Sequence, residues 1–313
     1  MKILLFGSGY MAGEYMKVLK TFKADVTVIA RDADKARKTA ALFGFEGMGG
    51  GVAALKKIDV SGIHYVINAA SVDSLTEINL ACLKVGLKNI LVEKPGALNV
   101  QELQKVKKAA GNKAKVHIAY NRRFYNSVLE LQKSIKADGK IQGCFFDFTD
   151  REKDIFKNLW SSTVVKRWGW ANAAHVIDLA FFLIGTPKQI NVLKSGGYKG
   201  VHAGSTFTGS GKSAQCLFSY FATWAGGGRW NLEISTPKGR YKLSPLEELR
   251  FCVKNQFDWE SVPFSDQDDA KFKPGLFKMV KAVIMDGDLR RLPDLNKQIQ
   301  FCHTVDKVFG YGK

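Results

Sequence analysis

The sequence predicts an α/β plus α+β chain: a doubly wound parallel sheet first, then a region built on a mostly antiparallel sheet. Three observations carry this. Residues 2–6 are a short apolar run, suited to a buried parallel strand, and lead without a gap into Gly7-x-Gly9-x-x-Ala12 and a helical pattern. Strand-like and helix-like segments then alternate through residue 120, as right-handed βα units do. Later runs show period-two alternation, such as Trp230, Leu232 and Ile234, between tight turns, and fit an antiparallel meander.

The glycine turn organises the first region. Tyr15, Val18, Leu19 and Phe22 recur like one helical face, so the turn sits between a strand and a helix. That context separates a dinucleotide-binding fingerprint from an ordinary glycine-rich turn. Gly7 permits the tight bend, and Gly9 lets backbone approach a pyrophosphate. Tyr10 and Met11 open the helix whose N-terminus favours an anion, and Ala12 takes the close-packing position.

Residues 24–30 read as the second strand, rich in β-branched side chains. A NAD site usually places Asp or Glu near its end, on the ribose 2′-OH. Here Ala30 stands in that place and Arg31 follows, a residue suited to a 2′-phosphate; this favours NADP. Asp32, displaced by one or two positions, would instead keep NAD. Residues 33–43 read as a helix closed by Gly44, and 47–51 as a loop. Residues 65–70 are a buried strand, with Ala70 and Ser71 at its carboxyl end, where open α/β sheets bind ligands. A helix over 75–85 precedes the strand 89–92, which ends in Glu93-Lys94-Pro95. Asn99 caps a helix over 100–110, and 115–120 is the next strand.

Strand-like runs follow at 143–149, 189–194, 213–224, 229–236, 240–243 and 249–253, with Pro237-Lys238-Gly239 as a turn. An apolar helix is expected over 175–185 and an amphipathic one over 295–309.

The chain has 313 residues, enough for two domains with substantial cores. No run approaches the roughly 18 apolar residues of a membrane span. The apolar start is too short for a signal peptide and Glu14 follows soon, so a cytoplasmic chain without a membrane partner is expected. Cys82, Cys144, Cys216, Cys252 and Cys302 are scattered, without the spacing of a disulfide framework or zinc site, and no metal is expected. There are 47 basic and 29 acidic residues, a net charge of +18. Such a balance attracts anions, nucleic acid among them. The lysines are spread along helical stretches and no nucleic-acid-binding signature appears, so a solvated basic surface is the reading taken.

The ordered set Gly7-x-Gly9-x-x-Ala12, Glu93-Lys94-Pro95, Ala119-Tyr120-Asn121-Arg122-Arg123-Phe124 and His175-Val176-Ile177-Asp178 resembles the Gfo/Idh/MocA oxidoreductases, the glucose–fructose oxidoreductase and inositol dehydrogenase group. The resemblance covers nearly the whole chain. It implies a Rossmann domain over 1–120 and a substrate-binding, oligomerising domain over 121–313 on a large open sheet, with the last helix a candidate to pack back on the first domain. It also implies a nicotinamide cofactor, a sugar-type substrate and a homo-oligomer, dimer or tetramer, built through the C-terminal sheet.

In that family the Glu-Lys-Pro lysine is catalytic, which assigns Lys94 as the group that bonds the reacting oxygen and stabilises its developing charge. Its proline is expected in the cis form, and Glu93 either orients Lys94 or caps the turn. His175 matches the histidine of the family's Asp-x-Gly-x-His motif and is expected to take the substrate proton. The motif departs here: Ala171 and Ala173 replace its Asp and Gly, while Asn172 is placed to bond hydroxyls. Tyr120, Asn121 and Arg123 belong to the segment the family uses over cofactor and substrate. Trp168 stands with Lys153, Arg167 and Trp170 in an aromatic, basic loop suited either to a sugar or to burial. The leading expectation is an NAD(P)-dependent oxidoreductase of a sugar or sugar derivative, nucleotide- or phosphate-bearing ones included. A non-catalytic cofactor-binding regulator on the same fold is the alternative, kept open by Ala171.

Overall fold

The computed structural model describes residues 1–156, 160–197 and 204–311. They form two compact units, residues 1–121 with 268–300, and residues 122–267 with 301 to the end of the described chain.

The first unit opens with β1 (Lys2–Phe6), α1 (Tyr10–Thr21), β2 (Asp25–Ile29), α2 (Ala33–Ala41) and β3 (Glu46–Met48). It continues with β4 (Ile63–Asn68), α3 (Leu75–Lys84), β5 (Asn89–Glu93), α4 (Val100–Ala110) and β6 (Lys115–Ala119). The strands make one parallel six-stranded sheet in the order β3-β2-β1-β4-β5-β6. This is the doubly wound order, whose direction reverses between β1 and β4. Ile3, Leu4, Leu5, Val28, Ile29, Val66, Ile67, Leu91 and Val92 are buried in it, which explains the near-continuous apolar runs. Asn99 caps α4 as expected, accepting a hydrogen bond from Glu102 N at 2.8 Å.

The expected loop at 47–51 is corrected at its start, because β3 pairs in parallel with β2 there. The stretch lacks β-branched residues. What makes it a strand is close approach: a Cβ on Gly47 would lie 2.5 Å from Ala36 O of α2. Only glycine brings the backbone that near, and pattern reading does not see it.

The second unit contains α5 (Asn126–Asp138), β7 (Gly143–Asp147) and the short helices α6 (Glu152–Ile155) and α7 (Ser162–Lys166). A π-helical turn, Gly169–Ala173, runs into α8 (Ala174–Ile184). Then come β8 (Pro187–Ser195), β9 (Thr206–Ser213), β10 (Leu217–Thr223), β11 (Asn231–Thr236), β12 (Gly239–Leu243), β13 (Arg250–Val253) and β14 (Glu260–Ser261). They form an eight-stranded sheet in the order β14-β13-β12-β11-β7-β10-β9-β8, antiparallel except for the pair β7–β10. Its buried face gathers Phe218, Tyr220 and Phe181 of α8 around Phe146.

Strand β9 stands where no strand is expected. Its Thr-Phe-Thr-Gly-Ser-Gly sequence reads as polar and flexible. Gly209 and Gly211 pair directly with Tyr220 and Phe218 on β10, and the two rings lie across the glycines. The aromatic partner supplies the packing that the glycines lack.

The chain continues with α9 (Gln267–Lys271), α10 (Leu276–Ile284) and α11 (Leu295–Phe309). Sequence reading draws one boundary near residue 120, whereas residues 268–300 group with the first unit. The apolar side of α10 packs on α1, with Phe277 stacked on Phe22 at 5.2 Å, and Ile118 N donates to Pro293 O at 3.0 Å. Among the described residues no helix is long and apolar enough to cross a membrane.

Candidate functional site

Because all six strands of the first sheet are parallel, the residues following them share its carboxyl edge. Gly7 follows β1, Ala30, Arg31 and Asp32 follow β2, Ala70 and Ser71 follow β4, and Glu93-Lys94 end β5. The fold therefore gathers the sequence-predicted dinucleotide residues around the switch point.

Gly7 has φ of +116°, and a Cβ there would meet Ala69 O at 2.5 Å, so no other residue fits. Its N–H donates to Ile29 O at 2.9 Å, tying the turn to β2. A Cβ on Gly9 would meet nothing within 4 Å; the backbone here faces open space. Gly9 is the N-cap of α1, with no capping side chain and no acidic residue in the first turn. Helix α1 thus ends in N–H groups and a positive dipole end suited to a pyrophosphate. Ala12 is fully buried beneath the turn, while Tyr10 is 70% exposed. Beyond β2, Asp32 accepts from Lys35 N at 3.0 Å as the N-cap of α2, and that bond holds its carboxyl below the usual range. Arg31 is exposed beside it. Asn68, at the end of β4, donates to Leu75 O and Asn79 Oδ1 and so fixes the turn carrying Ala70 and Ser71.

Lys94 is half-buried, and its bond to Pro95 is cis. Glu93 is buried and accepts from the Tyr15 hydroxyl of α1 at 2.8 Å. Burial pushes its carboxyl up, against the pull of Lys94, Tyr15 and Lys273. Tyr120 and Asn121 serve the architecture of the same unit. The buried Tyr120 hydroxyl accepts from Gln298 Nε2 at 3.1 Å, and Asn121 Nδ2 donates to Pro274 O at 2.9 Å.

In the second unit, His175 lies in the first turn of α8, only 5% exposed, with its ring 6.0 Å from that of Trp230. The π-helical turn before it carries Ala171 and Asn172; a wider turn of this kind reorients side chains. Asn172 Nδ2 reaches Asp150, at 3.1 and 3.2 Å from its two oxygens. Trp168 Nε1 and Trp230 Nε1 donate to the same carboxylate, at 2.8 and 3.1 Å. Asp150 is buried, and the three donors offset the cost of taking its charge out of water.

Arg123, expected to face cofactor or substrate, is bonded to Asp178 of α8 through Nε at 2.8 Å and Nη2 at 2.6 Å. It also lies 4.5 Å over the Phe182 ring. Asp178, though pushed up by burial, is the counter-charge of Arg123, which gives that arginine a structural task. Arg167 stacks on Tyr311 at 4.8 Å.

Asp150, Trp230 and Arg122 are not among the site residues that the sequence predicts. Asp150 lies just past a predicted strand end, the signal that selected Lys94 and Ser71. Nothing local announced that two indoles and an amide from distant segments converge on it.

Fold and site together define a doubly wound α/β unit with an open glycine turn at its switch point, joined in one chain to a unit built on a largely antiparallel sheet. Residues 1–121 match the model of the Gfo/Idh/MocA oxidoreductase family, described as an oxidoreductase family with an NAD-binding Rossmann fold. The chain is 27% identical over 188 residues to inositol 2-dehydrogenase 2 of Saccharopolyspora erythraea, a match covering 59% of this chain and 54%, about half, of that protein. Levoglucosan dehydrogenase in complex with NADH and levoglucosan shares the fold at a TM-score of 0.78, with 20% identity over 98% of this chain and 95% of that one. UDP-N-acetylglucosamine 3-dehydrogenase from Acidithiobacillus ferrooxidans does so at 0.75, with 14% identity over 99% and 97%.

Proposed function

We propose that this protein is an NAD(P)-dependent oxidoreductase that exchanges a hydride with a CH–OH group of a sugar or sugar derivative, with NADP the preferred nucleotide. The observation that carries the reading is the turn Gly7–Ala12, with its obligatory glycine, its open Gly9 and an uncapped helix N-terminus at the switch point. The sugar-type substrates named for the similar proteins support the substrate class.

When bound, the nicotinamide supplies hydride exchange. Gly7, Gly9, Tyr10, Met11 and Ala12 would hold its pyrophosphate, with Ala70 and Ser71 beside it. Arg31 would meet a 2′-phosphate, since Asp32 is already engaged as a helix cap. Lys94 donates to the substrate oxygen and stabilises the negative charge that develops there. His175 accepts the hydroxyl proton. The protein assembles with copies of itself through the second sheet, where Leu193, Leu217 and Phe221 are exposed. A cytoplasmic location fits the free thiols of Cys82, Cys144, Cys216 and Cys252.

Titration calorimetry with NADPH and NADH tests the reading. Saturable binding, tighter for NADPH, is expected, and binding of neither dinucleotide overturns it. Ala171, in place of the family's aspartate, favours a second reading, a cofactor-binding regulator. Dinucleotide binding without change in reduced-nicotinamide absorbance across a sugar panel would select it.

A further inference from the structure

The second unit contains a cleft of about 470 Å³, lined in part by Arg122, Asp150, Arg151, Arg229, Trp230 and Glu247. Its charges are unequally engaged. Arg151 is paired with Asp154 through Nε at 2.6 Å. Asp150 holds Trp168, Asn172 and Trp230. Arg122 has no ion pair among the described residues. Its guanidinium lies 4.7 Å over the Trp230 ring and 5.9 Å from that of Tyr125. Its Nε is buried without a hydrogen-bond partner there. Arg123, one residue on, has a bidentate carboxylate partner in Asp178. Arg229, on the exposed stretch before Trp230, also lacks an ion pair among the described residues.

A guanidinium held over an indole, with a donor unmet among the described residues, is prepared for a planar or tetrahedral acid group. On the same cleft the Asp150 carboxyl accepts from three side chains, and hydroxyls are natural further donors to it. A neutral sugar would leave Arg122 unmatched, and a small bare anion would meet the charge of Asp150. A ligand carrying both hydroxyls and an acid group satisfies both.

We propose that this cleft binds an acidic sugar, its carboxylate or phosphate on Arg122 with Arg229 assisting, and its hydroxyls on Asp150. Calling that ligand the substrate rests on the oxidoreductase reading; its binding to the cleft does not.

The test is titration calorimetry on the full chain without dinucleotide, using D-glucose, D-glucuronate, D-glucose 6-phosphate, D-galactose and D-galacturonate. At least one acid is expected to bind about tenfold or more tightly than its neutral parent. Which acid it is separates a carboxylate from a phosphate ligand. Arg122→Gln should remove that advantage and Arg122→Lys restore part of it. Arg229→Gln, on the exposed stretch, gives a second variant should the Arg122 substitutions fold poorly, and should weaken the acid but not the neutral sugar. Equal or tighter binding of the neutral parents, no saturable binding of any acid, or full acid affinity in Arg122→Gln and Arg229→Gln overturns the proposal. NADPH binding by the same protein is read separately, so failure of the oxidoreductase reading is distinguishable.

Discussion

The Tyr15 hydroxyl of α1 donates a buried 2.8 Å hydrogen bond to Glu93, the last residue of β5. This ties the helix that begins at the glycine turn to the strand that delivers Lys94. Burial pushes the Glu93 carboxyl up, so the folded state binds its proton above the roughly 4.3 of a free glutamate. Between those two values the native state holds more protons than the unfolded one, and stability falls as pH rises through the window. Urea unfolding across acidic to neutral pH should show this decline in the wild type and a flatter curve in Glu93→Gln. Tyr15→Phe removes a donor from a buried acceptor, costs about 1–3 kcal/mol and extends the decline to higher pH. Equal slopes in wild type and Glu93→Gln would remove the assignment.

Lys94→Ala should bind NADPH with nearly unchanged affinity while turnover drops about 10²–10³-fold, the usual loss when one positioned charge stabiliser is removed. Parallel calorimetry and steady-state rates with the best sugar of a screen check it. Wild-type turnover in the variant excludes Lys94 from the chemistry.

Arg31→Asp should weaken NADPH by about 10- to 100-fold, the loss of a charged hydrogen bond of roughly 1.5–3 kcal/mol, and leave NADH much less affected. Since Asp32 is held as the cap of α2, Asp32→Asn should act through stability of that helix more than through nucleotide choice. Equal weakening of both nucleotides by Arg31→Asp would place the arginine away from the 2′ position.

With alanine at position 171, the proposed function leaves the proton-accepting role on α8 to His175. The oxidation rate should rise with pH through one ionisation that belongs to His175. His175→Asn should abolish that step and keep dinucleotide affinity. A pH–rate profile unchanged by the substitution makes His175 structural.

Thiol labelling of the native protein reports on packing. Burial pushes Cys82 up to about 12 and raises Cys144 and Cys216, so these stay protonated at neutral pH and hidden from reagent. Cys252, half-buried in β13, should be alkylated first, as peptide mass mapping after a short iodoacetamide pulse would show. Early labelling at Cys82 would contradict the packed α3.

By itself the sequence determined the dinucleotide turn, the alternation of the first unit and the strand ends that carry Arg31, Ser71 and Lys94. These depend on contiguous signals: an apolar strand run, a glycine at fixed spacing, a helical face. The tertiary structure alone decided what depends on distant partners. Gly47 becomes part of a strand because α2 approaches it, and Gly209 and Gly211 because aromatic rings of β10 lie across them. Residues 268–300 join the first unit because Phe277 finds Phe22. In the second unit the charges were assigned by proximity that no local pattern encodes. Arg123 is neutralised by Asp178, Asp150 collects Trp168, Asn172 and Trp230, and Arg122 is left stacked on an indole without a counter-charge among the described residues.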